Sequence, residues 1–136
     1  MEAHNFRNLK VWQLPVDFVE VVYRLSPQFP DDEKYGLLSQ LKRCAVSIPS
    51  NIAEGSGRTS DKGFHRFLST SLSSCFELET QLILSNRSGF LSGNVLNELI
   101  VKLTEIQKML YALQRKLNRN DQPPHTRLFQ FLFSFF

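Results

Sequence analysis

The stretch SIPSNIAEGSGR, residues 47–58, gathers hydroxyls, an amide, one carboxylate, two glycines and an arginine. Those residue types can build a phosphate-cradling loop or an acid–base site. The phosphate reading fails on spacing: there is no G-x-x-x-x-G-K-[ST] run, and no strand-like segment precedes it. The acid–base reading is weak as well. Glu54 has no histidine near it in sequence and no second carboxylate at fixed spacing within the stretch. Read together with the residues before it, the stretch shows a polar row, Gln40, Arg43, Ser47, Asn51 and Glu54, recurring every three or four positions. Most of it is therefore helix, and Gly55 and Gly57 are expected at the helix end, in left-handed conformations. Glu77, on the following helix, can approach Arg43 or Glu54. Such a cluster reads as a hydrogen-bonded structural network rather than catalytic machinery, and no enzyme activity is expected.

The remaining chemistry-bearing residues are sparse. His4, His65 and His125 have no metal-binding or catalytic spacing. Cys44 and Cys75 fall within apolar helical rows and read as buried packing residues, not as a C-x-x-C pair. No cofactor, metal or small-molecule substrate is expected. The basic residues carry more information. Lys108, Arg115 and Arg119 lie opposite the leucine row of the last helix, with Lys102 and Lys116 on its flanks. Lys62 and Arg66 are one turn apart on the third, just after Arg58. A solvated surface accounts for such residues, and so does a weakly selective phosphate-binding face for RNA or DNA.

Four segments must position these side chains. Their apolar rows are Val11, Leu14, Phe18, Val21, Leu25; then Leu38, Leu41, Ala45, Ile48, Ile52; then Phe64, Leu68, Ser71, Cys75, Leu78, Leu82; and Leu96, Leu99, Leu103, Ile106, Leu110, Leu113, Leu117. Spacing of three and four predicts helices with one face turned inward. Asp31, Asp32 and Glu33 suit the start of the second helix, Ser60 an N-cap for the third, and Gly89 a stop after it. Pro15 leaves two options, a helix beginning near Leu14 or a kink, and Pro49 is expected to bend the second helix. Short connections predict an all-α, antiparallel up-down-up-down four-helix bundle over residues 1–120.

The first helix carries a second apolar row, Trp12, Val16, Val19 and Tyr23, and the third a weaker one, Leu72, Phe76 and Ile83. A deeply buried first helix, a covering tail, or contact between copies would each account for it; self-association is the favoured reading. A protein partner in these grooves is the competing one.

The chain has 136 residues, a net charge of +3 and 42% hydrophobic residues, which suit one soluble domain. MEAHNFRNLK has no apolar central region of the signal-peptide kind, and no stretch approaches the roughly 20 apolar residues of a membrane span, so a cytoplasmic location is expected. The tail, residues 121–136, stands apart: after Pro123 and Pro124, Phe129, Phe131, Phe133 and Phe135 alternate. It has an aggregation-prone composition. Docking on the bundle, pairing with another chain, touching a membrane and being an accidental extension all remain open for it.

LKVWQ, FPDDEKYGLLSQLKRCAVSIPSNIAEGSGR, FHRFL and ELETQL resemble the signature of the four-helix-bundle proteins encoded in intervening sequences of bacterial large-subunit ribosomal RNA genes. The resemblance spans roughly residues 6–118. It implies an antiparallel bundle assembling as a homopentamer, and kinship with the nucleic-acid-binding accessory variability proteins of diversity-generating retroelements. It places Gln40, Arg43, Ser47, Asn51, Glu54, Gly55 and Glu77 in the family motif, with no catalytic role attached. Ser73 stands where the family tends to have glycine, which implies a looser helix crossing there, and Pro15 where it tends to have a helix former.

Overall fold

Burial follows the predicted rows closely in three of the four helices. The computed structural model describes residues 5–121 and comprises α1 (Lys10–Tyr23), α2 (Leu37–Ser56), α3 (Asp61–Arg87) and α4 (Gly93–Asp121), with single 3-10 turns at Phe6–Asn8, Ser26–Gln28 and Asp31–Glu33. The phenylalanine-rich tail lies outside the described residues. Leu41, Ile52, Leu68, Leu78, Leu82, Leu103 and Leu110 are sealed from solvent and form the centre of the core. In α1 the inward row is Val11, Pro15, Phe18 and Val22, while Leu14 and Val21 are only half-buried. The expected 11-14-18-21 row is thus shifted by one residue at two positions.

Contacts fix the direction of each helix. Lys42 lies over the Tyr23 ring, and Leu9 shares a cavity with Ser56, so numbers rise on α1 as they fall on α2. Between α2 and α3 the partners are Cys44 with Ser74 and Ile48 with Ser71. Between α3 and α4 they are Ser69 with Gln114 and Glu79 with Gln107. Leu14 to Val21 of α1 face Lys102 to Ile106 of α4, while Leu9 meets Leu113 and Leu117. Every neighbouring pair is antiparallel, which is the up-down-up-down bundle that short connections favour.

The termini show why the chain turns where it does. Ser60 caps α3 by accepting from the Gly63 amide at 3.1 Å. Gly89, the one positive-φ residue among those described (φ 84), ends α3. Its own amide donates to Asn86 and that of Phe90 to Ser85, which completes a Schellman stop. Ser92 accepts from the Val95 amide at 3.2 Å and starts α4. The expected acidic start of α2 is corrected: Asp31–Glu33 is a separate 3-10 turn, and α2 begins at Leu37. Glu33 still serves the helix, since its carboxylate accepts from the Leu37 amide at 2.9 Å. A side chain on Gly36 would come within 2.5 Å of that carboxylate oxygen and push the Glu33 carboxylate aside.

Both prolines lie inside helices and are buried. α1 starts at Lys10, not near Leu14, so Pro15 is past the first turn and leaves the Val11 carbonyl without its helical donor. The apolar ring facing the core offsets part of that cost.

The expected left-handed glycines at the end of α2 are also corrected. Gly55 is helical and buried, and Gly57 has φ −84 and ψ −1. Gly55 is needed for closeness: a Cβ there would stand 2.7 Å from Phe67 Cβ and 3.0 Å from Phe64 Cδ1. Ser73, where a looser crossing was expected, is exposed and plays no part in it; Ser74 faces α2.

Candidate nucleic-acid interface

The polar row falls into two parts. Gln40, Arg43, Ser47, Asn51 and Glu77 line an open groove of about 480 Å³ between α2 and α3, together with Cys44, Thr70 and Ser74. Glu54 is exposed beyond the end of it. Within the groove most bonding capacity is spent internally. Ser47 Oγ lies 2.7 Å from the Cys44 carbonyl and 2.7 Å from Ser74 Oγ. Asn51 donates to the Ser47 carbonyl at 2.7 Å and Ser71 to the Ile48 carbonyl at 2.8 Å. Gln81 donates to Glu77 at 3.2 Å, which leaves its own Oε1 buried without a partner. This is a stitched helix seam: Arg43 and Glu77 line the same groove, and Glu54 stands outside it.

Cys44 and Cys75 are free, buried thiols. Cys44 donates to the Ser74 carbonyl at 3.1 Å. Burial first, then the Glu77 charge, pushes the Cys44 thiol up from 9.0 to about 12. Burial first, then Cys44 and Glu79, does the same for Cys75. At pH 8 such thiols are held almost wholly in the protonated, unreactive form. Alkylation of the native protein by iodoacetamide at that pH is therefore expected to be far slower than in denaturant; equal rates would contradict the packing. Because the folded values are raised, the stability these thiols contribute is complete below pH 9 and is lost as pH rises toward 12. Denaturation midpoints at pH 8 and 10.5 should show that fall, and Cys44→Ala should reduce it.

The basic residues predicted from sequence become a single feature once the helices are antiparallel. Taken by segment, residues 5–16, 47–73 and 107–118 form the half of the bundle that runs to the α2–α3 turn, where Leu9, Arg58 and Lys116 share one cavity, and the rest of residues 5–118 form the other half. The first half contains Arg7, Lys10, Arg58, Lys62, Arg66, Lys108, Arg115 and Lys116 against Glu54 and Asp61, a net +6. The other contains Arg24, Lys34, Lys42, Arg43, Arg87 and Lys102 against nine carboxylates, a net −3. All eight cations of the basic half are exposed. Lys102, expected on the same basic surface, is exposed but belongs to the acidic half, beside Asp17 and Glu105. The side chain of Arg119 lies outside the described ones. Arg7 and Lys10 were missed because they sit on the first helix and its entry turn, far from the other clusters in sequence.

The expected contact rows are redistributed. Trp12, Val16 and Val19 are half-buried, and the entry turn covers Trp12 edge-on with Phe6 at 5.2 Å. Tyr23 is 48% exposed beneath Lys42. Leu72, at 8% exposure, is a core residue and leaves the predicted row. Phe76 and Ile83 are exposed on one side of α3, and Tyr111 is exposed on α4, beside the turn of Phe76 by the register of Glu79 with Gln107. Among the described residues no group of three His, Cys, Asp or Glu side chains is placed to hold a metal ion. No helix there is long and apolar enough to cross a membrane.

No curated protein matches the chain. A solved structure of a protein with unknown function from the S23 ribosomal protein family of Bacteroides thetaiotaomicron VPI-5482 shares the fold. It superposes with a TM-score of 0.71 at 23% identity and covers 76% of this chain and 97% of that one. The 23S rRNA-intervening sequence protein family matches over residues 7–112, which takes in all of the first three helices and most of the fourth. With four antiparallel helices and the motif row in place, the chain belongs to the 23S rRNA-intervening sequence protein family.

Proposed function

We propose that this protein is a non-enzymatic, self-associating bundle of the cytoplasm that binds RNA or DNA through its basic half with little sequence selectivity. The observation that carries the reading is the charge division, +6 against −3. Eight exposed cations at one end of a rigid bundle create a field that attracts phosphate by releasing counterions. Contacts to phosphate of this kind carry no sequence information, in keeping with weak selectivity. Affinity of a generic single-stranded RNA is expected to fall about a hundredfold between 50 and 200 mM salt, as when several phosphates are neutralised together. Fluorescence anisotropy measures it, and a salt-independent affinity would end the proposal.

Self-association rests on Phe76, Ile83 and Tyr111, a patch of exposed apolar side chains on α3 and α4 of the kind that marks protein contacts. The family resemblance implies a homopentamer, in which five basic halves would be combined. Sedimentation velocity at micromolar concentration should give an oligomer, and Phe76→Asp with Ile83→Asp should dissociate it; a wild-type monomer would refute this part. The same apolar patch supports the competing reading, a scaffold that holds a protein partner and no polynucleotide, and the RNA titration separates the two.

A further inference from the structure

The basic half holds a cavity of about 230 Å³ between the start of α1, the α2–α3 turn and the end of α4. Its floor is apolar: Leu9, Phe64, Leu113 and Leu117, with Phe64 and Leu117 each 8% exposed. Its rim carries Arg58 and Lys116, both exposed. Arg58 is held in place, its guanidinium stacked 4.4 Å from the centre of the Phe67 ring. Asp61 is the acidic lining residue, so a phosphate must approach from the Arg58 and Lys116 side. Hydroxyls of Ser56 and Thr59 complete the edge.

The cavity is smaller than the roughly 300–1,000 Å³ typical of drug-sized ligands, and an apolar floor that includes the Phe64 ring, beside a cationic rim, suits one small, anion-linked ring. Resting on the nucleic-acid reading above, we infer that this cavity takes an unstacked nucleobase, with the adjoining phosphates on Arg58 and Lys116. Only unpaired nucleotides can offer such a base, because a duplex keeps its bases stacked inside and offers a protein its backbone. The preferred ligand is therefore a single strand, loop or end rather than a continuous duplex. Stacking on apolar and aromatic side chains tolerates any base, in agreement with weak sequence selectivity.

The test compares a 12-nucleotide single-stranded RNA with a fully paired duplex of equal phosphate number, each by competition against one labelled strand at fixed salt. The single strand should bind at least fivefold more tightly, and a central 2-aminopurine should change its fluorescence on binding. Leu9→Trp and, independently, Leu113→Phe fill the cavity from its apolar floor and should abolish the preference while leaving duplex affinity unchanged, with circular dichroism showing that each variant is folded. Equal affinities of the two ligands for the wild-type protein would overturn the cavity assignment and leave the basic-half reading intact. So would a preference that survives both substitutions in folded protein. Failure of both ligands to bind would overturn the basic-half reading itself.

Discussion

Gly55→Leu is expected to destabilise the bundle by about 3 kcal/mol, near the upper end for overpacked cores, and to lower Tm by roughly 10 °C. On propensity alone the sign would be opposite, since glycine is a poorer helix former than leucine even in the last turn of a helix. Geometry decides otherwise. A Cβ at residue 55 would stand 2.7 Å from Phe67 Cβ and 3.4 Å from the Phe64 carbonyl oxygen. Phe67 Cβ is fixed to the backbone, so no rotamer change relieves the clash and α2 must move from α3. That movement would strain the adjacent seam, where Ser71 bonds Ile48 and Ser74 bonds Cys44. Even Gly55→Ala should destabilise, by about 1 kcal/mol or more. Gly57→Ala is the internal control: a Cβ there meets only the Glu54 carbonyl, at 3.5 Å, with ordinary right-handed angles. It should melt within a few degrees of wild type or slightly above it. Thermal denaturation by circular dichroism gives all three values, and a Gly55→Leu protein as stable as wild type would refute the close crossing.

Reversing charge at Lys62, Arg66 and Arg115 is expected to weaken RNA binding by on the order of a hundredfold and to flatten the salt dependence by about two phosphate contacts. The three side chains are exposed and come from both α3 and α4, so their replacement with Glu takes the basic half from +6 to zero without touching the core. Reversal of three cations in the acidic half, Lys34, Lys42 and Arg87, alters net charge by the same amount. If affinity followed net charge alone, the two triple variants would bind equally weakly. The division of charge predicts instead that the second set retains most of the wild-type affinity, because its residues stand farther than a Debye length of roughly 8–10 Å from phosphates held at the other end.

Sequence reasoning succeeded where the signal was local and strongly periodic. The α2, α3 and α4 rows, the Ser60 cap and the Gly89 stop are all properties of short windows. In α1 the choice between Val21 and Val22 was not decidable in this way, because both are apolar and only packing against α2 and α4 selects the inward one. Asp31–Glu33 has the composition of a helix start, yet the chain bends at Gly36 (φ −105, ψ −122), and Glu33 caps from outside. Gly55 was visible as a glycine, but its reason lies on another helix, in Phe67. The basic half was half legible. Lys62, Arg66, Lys108, Arg115 and Lys116 were identified, but their union with Arg7 and Lys10, and the separation from Lys102, follow only from antiparallel packing. Leu72 looked like surplus surface because a wheel cannot say how far a neighbouring helix overlaps.

The most direct test of the whole account locates the bound polynucleotide. A single-stranded RNA carrying 4-thiouridine, photo-crosslinked to the wild-type protein and mapped by peptide mass spectrometry, should mark peptides within residues 7–16, 54–66 and 108–118. Crosslinks concentrated in residues 24–42 or 84–102, at the acidic end, would contradict it.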